Sequence, residues 1–328
     1  MKRKLFSAIA VIGLMQFAMP DVGAQGASAY PERPVRWIVP FPPGASNDIT
    51  ARLFAHKLSE GLGQQFVIDN RSGAGGSIGA QIAAEAAPDG YTLLHANPGP
   101  SVNNIIMRRK SPYQISSFAP VFFIGYSPLI IVASPKFGPN NGRELLAYAK
   151  ANSGKLTWAS SGNGSSLHIG LALFAAATGT DIVHVPYKGT APALTDLMGG
   201  QVQMMFSVIP PAHAQVTNGK LRALAVTSAK RLASLPNVPT VAESGIAALA
   251  GFESTLTYGL LAPRATPAPV IAALSKQILQ VAGTEAFQSK LGVEGAEPLL
   301  GDAAQYAALI KKESTKWAAV VKASGASV

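Results

Sequence analysis

Short apolar runs alternate with longer segments of helical spacing over most of the chain. In the first block we predict strands at 35–41, 65–69 and 92–96, with helices at 48–62 and 77–87 between them. Within the first of these helices, Ile49, Leu53 and Phe54 recur at the spacing that places side chains on one face. Short apolar strands separated by helices are typical of parallel sheets buried on both faces. The pattern therefore predicts a βαβαβ unit.

A second block of the same kind follows an extended run at 118–134, which we predict to be interrupted at 125–128. Its predicted elements, in order, are helix 143–151, strand 156–160, helix 165–177, strand 182–187, helix 191–198, strand 202–208, a helix near 212–216 and strand 222–227. Another extended run at 254–261 and helices within 268–291 and at 303–321 complete the chain. If the two extended runs are crossings, the protein has an α/β fold of two lobes. We expect residues 30–126 and 254–328 to form one lobe and residues 127–253 the other.

The N-terminus has the three parts of a secretory signal peptide. Lys2, Arg3 and Lys4 precede an apolar run at 5–18, and small residues lead to Ala29. A membrane anchor is the competing interpretation, but the run is shorter than the roughly 20 residues that a span requires, and Pro20 follows it. We therefore expect residues 1–29 to be removed on export. The chain has no cysteine, so an exported fold must be stabilised without disulfides.

The chain is basic, with a formal charge of +10 at pH 7. A positive field favours anionic ligands. Nucleic-acid binding is the other common reason for such a charge, but the basic residues are scattered and are not interleaved with aromatic ones. We therefore expect a small anion and no nucleic acid.

A loop of small residues joins a predicted strand to a predicted helix at 160–165. It consists of Ser160, Ser161, Gly162, Asn163, Gly164 and Ser165. Glycines allow the backbone to approach a ligand, and the first amides of a helix have no intrahelical acceptor, so such a loop can bind a carboxylate. The alternative is an ordinary connection in which a serine caps the helix. A second glycine-rich helix entrance, at 71–79, favours the ligand-binding interpretation.

Further candidates follow other predicted strands, where α/β sheets place their ligands. Gly44, Ser46 and Asn47 can present polar groups, and Asp48 is expected to cap the helix or to bind loop amides. Arg71 can pair with a ligand or with Asp69. His168 can donate to a ligand or hold the loop, and Tyr187 can form a wall of the site or a core contact.

An enzyme is the main alternative, because 75–79 matches the G-x-S-x-G motif of serine hydrolases with Ser77 as nucleophile. In that motif the serine directly follows a strand, whereas residues 70–74 intervene here. The sequence also contains no phosphate-binding loop and no histidine–carboxylate cluster typical of a catalytic metal. We therefore expect no catalysis, no metal and no cofactor.

The whole mature sequence resembles the Bug family, the TctC-like solute-binding proteins of tripartite tricarboxylate transporters. The resemblance rests on YPERPVRWIVPFPPG, NRSGAGGSIGA, APDGYTLL, SSGNGSSLH, HVPYKGTAPALTDLMGGQV, GKLRALAVTSAKR, VPTVAESG and YGLLAPRATP. It implies a periplasmic binding-protein fold of type II, with a small organic carboxylate held in a cleft between two lobes joined by two crossing strands. It also implies permease subunits as partners, and we expect a monomer. A sensing role without a permease is the alternative.

The resemblance implies a set of carboxylate-binding residues in three loops. They are Pro43, Gly44, Ser46 and Asn47; Ala74, Gly75, Gly76 and Ser77; and Ser160 to Ser165 with His168. Two positions depart from the family's pattern. Ala45 and Ser46 stand where glycines are common, and Ser207, which we include among the candidates, is followed by Val208 where many members have an acidic residue. Without that acid an ammonium group has no partner, so a simple or aromatic carboxylate is favoured over an amino acid.

Overall fold

The computed structural model describes residues 30–108, 110–293 and 297–324. The predicted signal peptide and its cleavage site at Ala29 lie outside these ranges. Among the described residues, no helix combines the length and apolar character needed to cross a membrane.

The first sheet begins with the predicted βαβαβ unit. Strands β1 (Val35–Val39), β2 (Phe66–Asn70) and β3 (Thr92–Ala96) pair in parallel, with helices α1 (Ser46–Leu62) and α2 (Ser77–Ala84) between them. Helix α2 ends at Ala84, three residues before the predicted end. A π-helical turn (Gly99–Asn103) and the short helix α3 (Asn104–Met107) follow β3, in a section that the sequence pattern left irregular.

One long strand, β4 (Phe118–Ala133), belongs to both sheets. Residues 118–128 pair in antiparallel fashion with β9 (Thr255–Pro263), whereas residues 129–133 pair with β7 (Met204–Val208) and β8 (Arg222–Val226). The predicted interruption at 125–128 is wrong, because the strand continues through it with a local irregularity at Gly125. The two sheets are thus joined through a continuous strand.

The second sheet contains β5 (Thr157–Ser160) and β6 (Val183–Pro186), which run parallel to each other, and β7, which runs parallel to β5. Its helices are α4 (Gly142–Ala151), α5 (Ser166–Thr178), α6 (Thr190–Gly199) and α7 (Ile209–Thr217). All four predicted helices of this block are therefore present. The fully buried indole of Trp158 stacks on Phe206 in its core, with ring centroids 4.9 Å apart.

The C-terminal part returns to the first sheet. It forms α8 (Ala268–Ala282), α9 (Glu285–Val293), β10 (Glu297–Gly301) and α10 (Ala303–Ser324). The prediction missed β10, which pairs with β4 through a long-range contact. Helix α10 also packs against α5 of the second sheet, and Ile169 of α5 is buried in an apolar cluster with residues of the first sheet.

A hydrogen-bonded junction fixes the point where the chain passes between the sheets. The backbone amide of Leu129 donates to Thr227 Oγ1 at 2.8 Å, and that hydroxyl donates to the carbonyl oxygen of Ser254 at 2.5 Å. Thr227 is fully buried. The hydroxyl therefore links β4 to the segment that leads back into β9.

Candidate functional site

The loops after strands of both sheets meet around two adjoining cavities. The outer cavity has a volume of about 210 Å³ and the inner one about 20 Å³, and Phe41, Pro42 and Ser161 line both. The inner volume is close to that of a single water site. Larger cavities lie beside α4 (about 360 Å³) and between α10 and β4 (about 400 Å³). We favour the adjoining pair, because the carboxyl ends of parallel strands from both sheets converge there.

Two helix N-termini, one from each sheet, lie at the inner cavity. Ser46 and Asn47 open α1, and Ser166 and Leu167 open α5; all four line the cavity. The first backbone amides of a helix lack an intrahelical acceptor, and the helix dipole gives them a partial positive charge. The inner cavity is therefore suited to an anionic group held from both sides.

The side chains of Ser46 and Asn47 are held by residues of the first sheet. Ser46 Oγ lies 2.6 Å from the Tyr258 hydroxyl, and Asn97 Nδ2 donates to Asn47 Oδ1 at 3.1 Å. Asn97 Oδ1 in turn accepts from the Gly99 amide at 2.9 Å. These bonds fix the entrance of α1.

Asp48 is buried next to this entrance, but its charge is compensated. Its carboxylate accepts from the Gly44 amide and from Arg52 Nε, each at 2.9 Å, and from Asn70 Nδ2 at 3.0 Å. Burial acts to raise the pKa of Asp48, but these donors bring it below its usual value. Asp48 thus binds a loop amide as predicted, and the cap of α1 is Ala45, which uses no side chain.

The loop between β2 and α2 has a left-handed backbone. Ala74, Gly75 and Gly76 have φ of 47°, 62° and 94°, and all three line the outer cavity. Arg71 pairs with Asp69, with Nε 2.9 Å from Oδ1, and lines neither cavity. The prediction that Arg71 could instead pair with Asp69 is confirmed.

The 160–165 loop is held by bonds within itself and to two histidines. The Gly162 amide donates to Ser160 Oγ at 3.1 Å, and Ser160 Oγ lies 2.6 Å from His184 Nε2. Ser165 caps α5 by accepting from the His168 amide, which is the serine cap expected by the alternative interpretation of this loop. Ser161, Gly162 and Asn163 line the outer cavity.

His168 supports the loop from behind. Its Nδ1 accepts from the Gly164 amide at 3.1 Å, and its ring stacks on His184 with centroids 3.9 Å apart. Burial, and for His168 the neighbouring His184 as well, lowers the pKa of His168 to about 3; burial lowers the pKa of His184 to about 4. Both rings are therefore neutral near pH 7. His168 lines neither cavity, so the geometry favours the loop-holding alternative.

The loop between β6 and α6 forms the far wall of the outer cavity. Tyr187 lines this cavity, and its hydroxyl donates to Asp196 Oδ2 at 2.8 Å. Lys188 lines the same cavity, and Thr190 lines the inner one.

Seven predicted residues lie outside the lining of both cavities in addition to His168. Pro43 and Gly44 belong to the 42–45 turn, and Ser207 is fully buried and donates to the Val208 carbonyl at 3.1 Å. Val208 lines the inner cavity in its place. Ser77, Ser160, Gly164 and Ser165 also lie outside the lining of both cavities.

The sequence pattern missed the segment after β3. Asn97 lines the inner cavity, while Ser101, Asn103 and Asn104 are buried behind it. Asn104 Nδ2 donates to the Gly75 carbonyl at 2.9 Å, which supports the 74–76 turn. The sequence could have indicated Asn97, because this residue directly follows the predicted strand 92–96. The carboxyl end of that strand lies at the same edge of the sheet as those of β1 and β2.

Ser77 does not have the surroundings of a hydrolase nucleophile. The turn at Ala74–Gly76 separates it from β2, and its side chain is buried beside the hydroxyl of Tyr113 rather than beside a histidine. In the same ranges, no three or more His, Asp or Glu side chains are grouped to hold a metal ion.

Three glycines at the boundary between the lobes leave little room for a Cβ atom, because atoms of the other lobe lie close to them. A Cβ atom on Gly75 would lie 2.1 Å from the carbonyl oxygen of Asn163, and one on Gly189 would lie 3.0 Å from Pro42 Cγ. A Cβ atom on Gly164 would lie 2.1 Å from Asn104 Oδ1. The two lobes are therefore closed on each other along a seam of glycines.

Comparison with known proteins identifies the class. A family model described as "Tripartite tricarboxylate transporter family receptor" matches residues 50–326. The chain belongs to this family, which confirms the resemblance to the Bug proteins.

Solved structures agree with the assignment. Rpa4515 of R. palustris with adipate is 35% identical, with a TM-score of 0.86, over 91% of this chain and 99% of that one. The periplasmic binding protein BugD is 36% identical, with a TM-score of 0.84 and the same coverage. MatC from Rhodopseudomonas palustris with bound malate is 32% identical, with a TM-score of 0.82, over 89% of this chain and 100% of that one. The fold is thus the predicted binding-protein fold, and the family consists of binding proteins, not enzymes.

Proposed function

We propose that this protein is a periplasmic receptor that captures a small organic carboxylate between its lobes and delivers it to the permease of a tripartite tricarboxylate-type transporter. The observation that carries the proposal is the meeting of the α1 and α5 N-termini at one cavity. Adipate bound to Rpa4515 and malate bound to MatC support a carboxylate as the ligand. The lobe boundaries at 126/127 and 253/254, and removal of residues 1–29, are part of this proposal.

Neutral amides, rather than an arginine, would hold the carboxylate. Each favourable interaction of an anion with a helix N-terminus contributes about 0.3 to 1 kcal/mol when exposed and up to about 2 when partly buried. Because the two helices belong to different lobes, both contribute only when the lobes are together. A ligand bound in this way favours the closed state, since only differential affinity can shift the equilibrium.

A thermal-shift screen of the mature protein tests the proposal. Mono-, di- and tricarboxylates, aromatic acids and amino acids would be added after unfolding and refolding to remove co-purified ligand. We expect one class of carboxylate to raise the melting temperature, because a ligand that binds only the native state stabilises it. No shift with any carboxylate would contradict the proposal, whereas turnover of an ester would favour the hydrolase alternative.

The permease partner needs a separate test. Vesicles that contain the permease subunits and the purified receptor should accumulate the carboxylate identified in the screen, and vesicles without the receptor should not. Equal accumulation in both would contradict the transport role and favour sensing.

A further inference from the structure

Lys188 differs from every other described residue that lines the inner and outer cavities, because it alone carries a charge. Its side chain is exposed at the outer cavity, and no described hydrogen bond or ion pair engages its ammonium group. Asp196, an acidic residue of the following helix α6, accepts the hydroxyl of Tyr187, which belongs to the same wall. Within the described part of the chain, the ammonium group of Lys188 is therefore without a partner, on the exposed side of the outer cavity.

The position of Lys188 relative to the inner cavity bears on the length of the ligand that could reach it. Thr190 lines the inner cavity and Lys188 the outer one. Two residues of chain span at most roughly 7 Å, so the walls of the two cavities follow each other closely. A ligand whose carboxylate lies between the α1 and α5 N-termini, and which extends several carbons into the outer cavity, therefore runs along the wall to which Lys188 belongs.

The residues that line the two cavities also favour one kind of chemical group at the end of the ligand that lies away from the inner cavity. Neither cavity is lined by an acidic side chain among the described residues, and Asp48 is saturated by Gly44, Arg52 and Asn70. An ammonium group would be desolvated there without a partner, which is unfavourable. A second carboxylate would instead meet an unpaired ammonium group and form a charge-assisted hydrogen bond.

We propose that Lys188 is a specificity-determining residue, which binds the distal carboxylate of a linear dicarboxylate whose first carboxylate lies at the inner cavity. The inference rests on the proposed function. Beyond the proposed function, it states that the Lys188 side chain makes the site prefer a dicarboxylate over a monocarboxylate of equal length.

Adipate and hexanoate form the matched ligand pair for the test, since both have six carbons and differ in the second carboxylate. Their Kd values would be measured by calorimetry with the mature protein and with K188Q, K188R and K155Q. Lys155 is an exposed lysine in the turn before β5, at the opposite end of that strand, so K155Q controls for the loss of one positive charge.

We expect K188Q to weaken adipate binding about tenfold. This magnitude lies between the contribution of an exposed ion pair and that of a buried hydrogen bond to a charged group. Hexanoate binding should change less than about twofold, because hexanoate has no second carboxylate for Lys188 to bind. K188R should retain the preference for adipate, and K155Q should behave as the unaltered protein.

Three outcomes would overturn the inference. One is an equal effect of K188Q on both ligands, or no effect on either. Another is an equal loss in K155Q. The third is binding of malate or succinate without binding of adipate, which would leave the proposed function intact. Failure of every carboxylate to bind the unaltered protein would overturn the proposed function itself.

Discussion

Gly75 and Asn163 touch across the cleft, so closely that a methyl group on Gly75 would lie 2.1 Å from the Asn163 carbonyl oxygen. Gly75 belongs to the loop after β2 and Asn163 to the loop after β5, on different lobes. This contact exists only when the lobes are together. The two lobes can therefore come together in this way only because Gly75 has no side chain.

We predict that Gly75→Ala weakens carboxylate binding at least tenfold, about 1.4 kcal/mol, because the lobes must separate to admit the methyl group. Calorimetry with the ligand found in the thermal screen measures this. Gly63→Ala is the matched control: Gly63 also has a positive φ, 68°, but a Cβ atom there would meet nothing within 4 Å. Both variants carry a backbone strain of about 1 to 2 kcal/mol. Equal affinity in the two variants would show that the contact does not limit closure.

The bond between the Gly164 amide and His168 Nδ1 predicts a second result. His168→Leu leaves a buried amide without an acceptor and should lower the free energy of unfolding by about 1 to 3 kcal/mol. His168→Asn can offer an oxygen close to the position of Nδ1 and should lose less. Denaturant unfolding gives the free energies, and hydrogen exchange at the Gly164 amide reports the bond directly. Equal exchange rates in both variants would contradict this role.

Two buried histidines, His95 and His168, and the partly buried His184 make stability depend on pH. Burial lowers the pKa of His95 and His168 to about 3 and that of His184 to about 4, whereas an unfolded histidine titrates near 6.5. Below pH 6.5 the unfolded chain therefore binds more protons than the folded one. Their contribution to stability is complete above pH 6.5 and is lost as the pH falls toward the folded values, by at most about 1.4 kcal/mol per pH unit for each residue.

The midpoints of urea unfolding between about pH 7.5 and 5 measure this loss of stability. Asp48 and Asp69 add nothing to the change over this interval, because their pKa values are lowered and both carboxylates stay charged. The midpoint should decline once the pH falls below 6.5, and His168→Asn should decline less steeply. A midpoint that is constant over this range would refute the prediction.

The junction at Thr227 predicts a stability difference between two conservative variants. Thr227→Val keeps the shape but removes the hydroxyl that accepts from the Leu129 amide and donates to the Ser254 carbonyl. It should lower the free energy of unfolding by about 1 to 3 kcal/mol, while Thr227→Ser keeps the hydroxyl and should lose less. Thermal unfolding compares them. A serine variant as unstable as the valine variant would attribute the effect to packing instead.

The sequence pattern predicted elements whose signals are local. Helical spacing located α1 and α5, and the capping by Ser165 was readable because Ser-Ser-Leu-His opens an apolar helical run. The loops 74–77 and 160–165 were found because glycines and serines directly follow strands. Whether these residues bind the ligand remains a prediction.

Other features depend on contacts between distant residues. Strand β10 is defined by its pairing with β4, and no local pattern marks it. His95, read as part of an apolar strand, packs against Trp37 and Tyr258, and the second of these comes from β9. The role of His168 as an acceptor for Gly164 required the loop geometry, since the sequence allowed a ligand contact equally well. Val208 replaced Ser207 at the cavity because alternate residues of a strand point to opposite sides.

The double membership of β4 limits how this receptor can be rebuilt. Its first part lies between β9 and β10 in one sheet, and its last residues lie between β7 and β8 in the other. A chimera that exchanges whole lobes between relatives must therefore cut an interior strand, and a lobe produced alone would expose unpaired edges of the kind that promote aggregation. Grafting the short loops at 41–48, 71–77, 160–165 and 186–190 leaves that strand untouched, so loop exchange is the practical route to changing the proposed site.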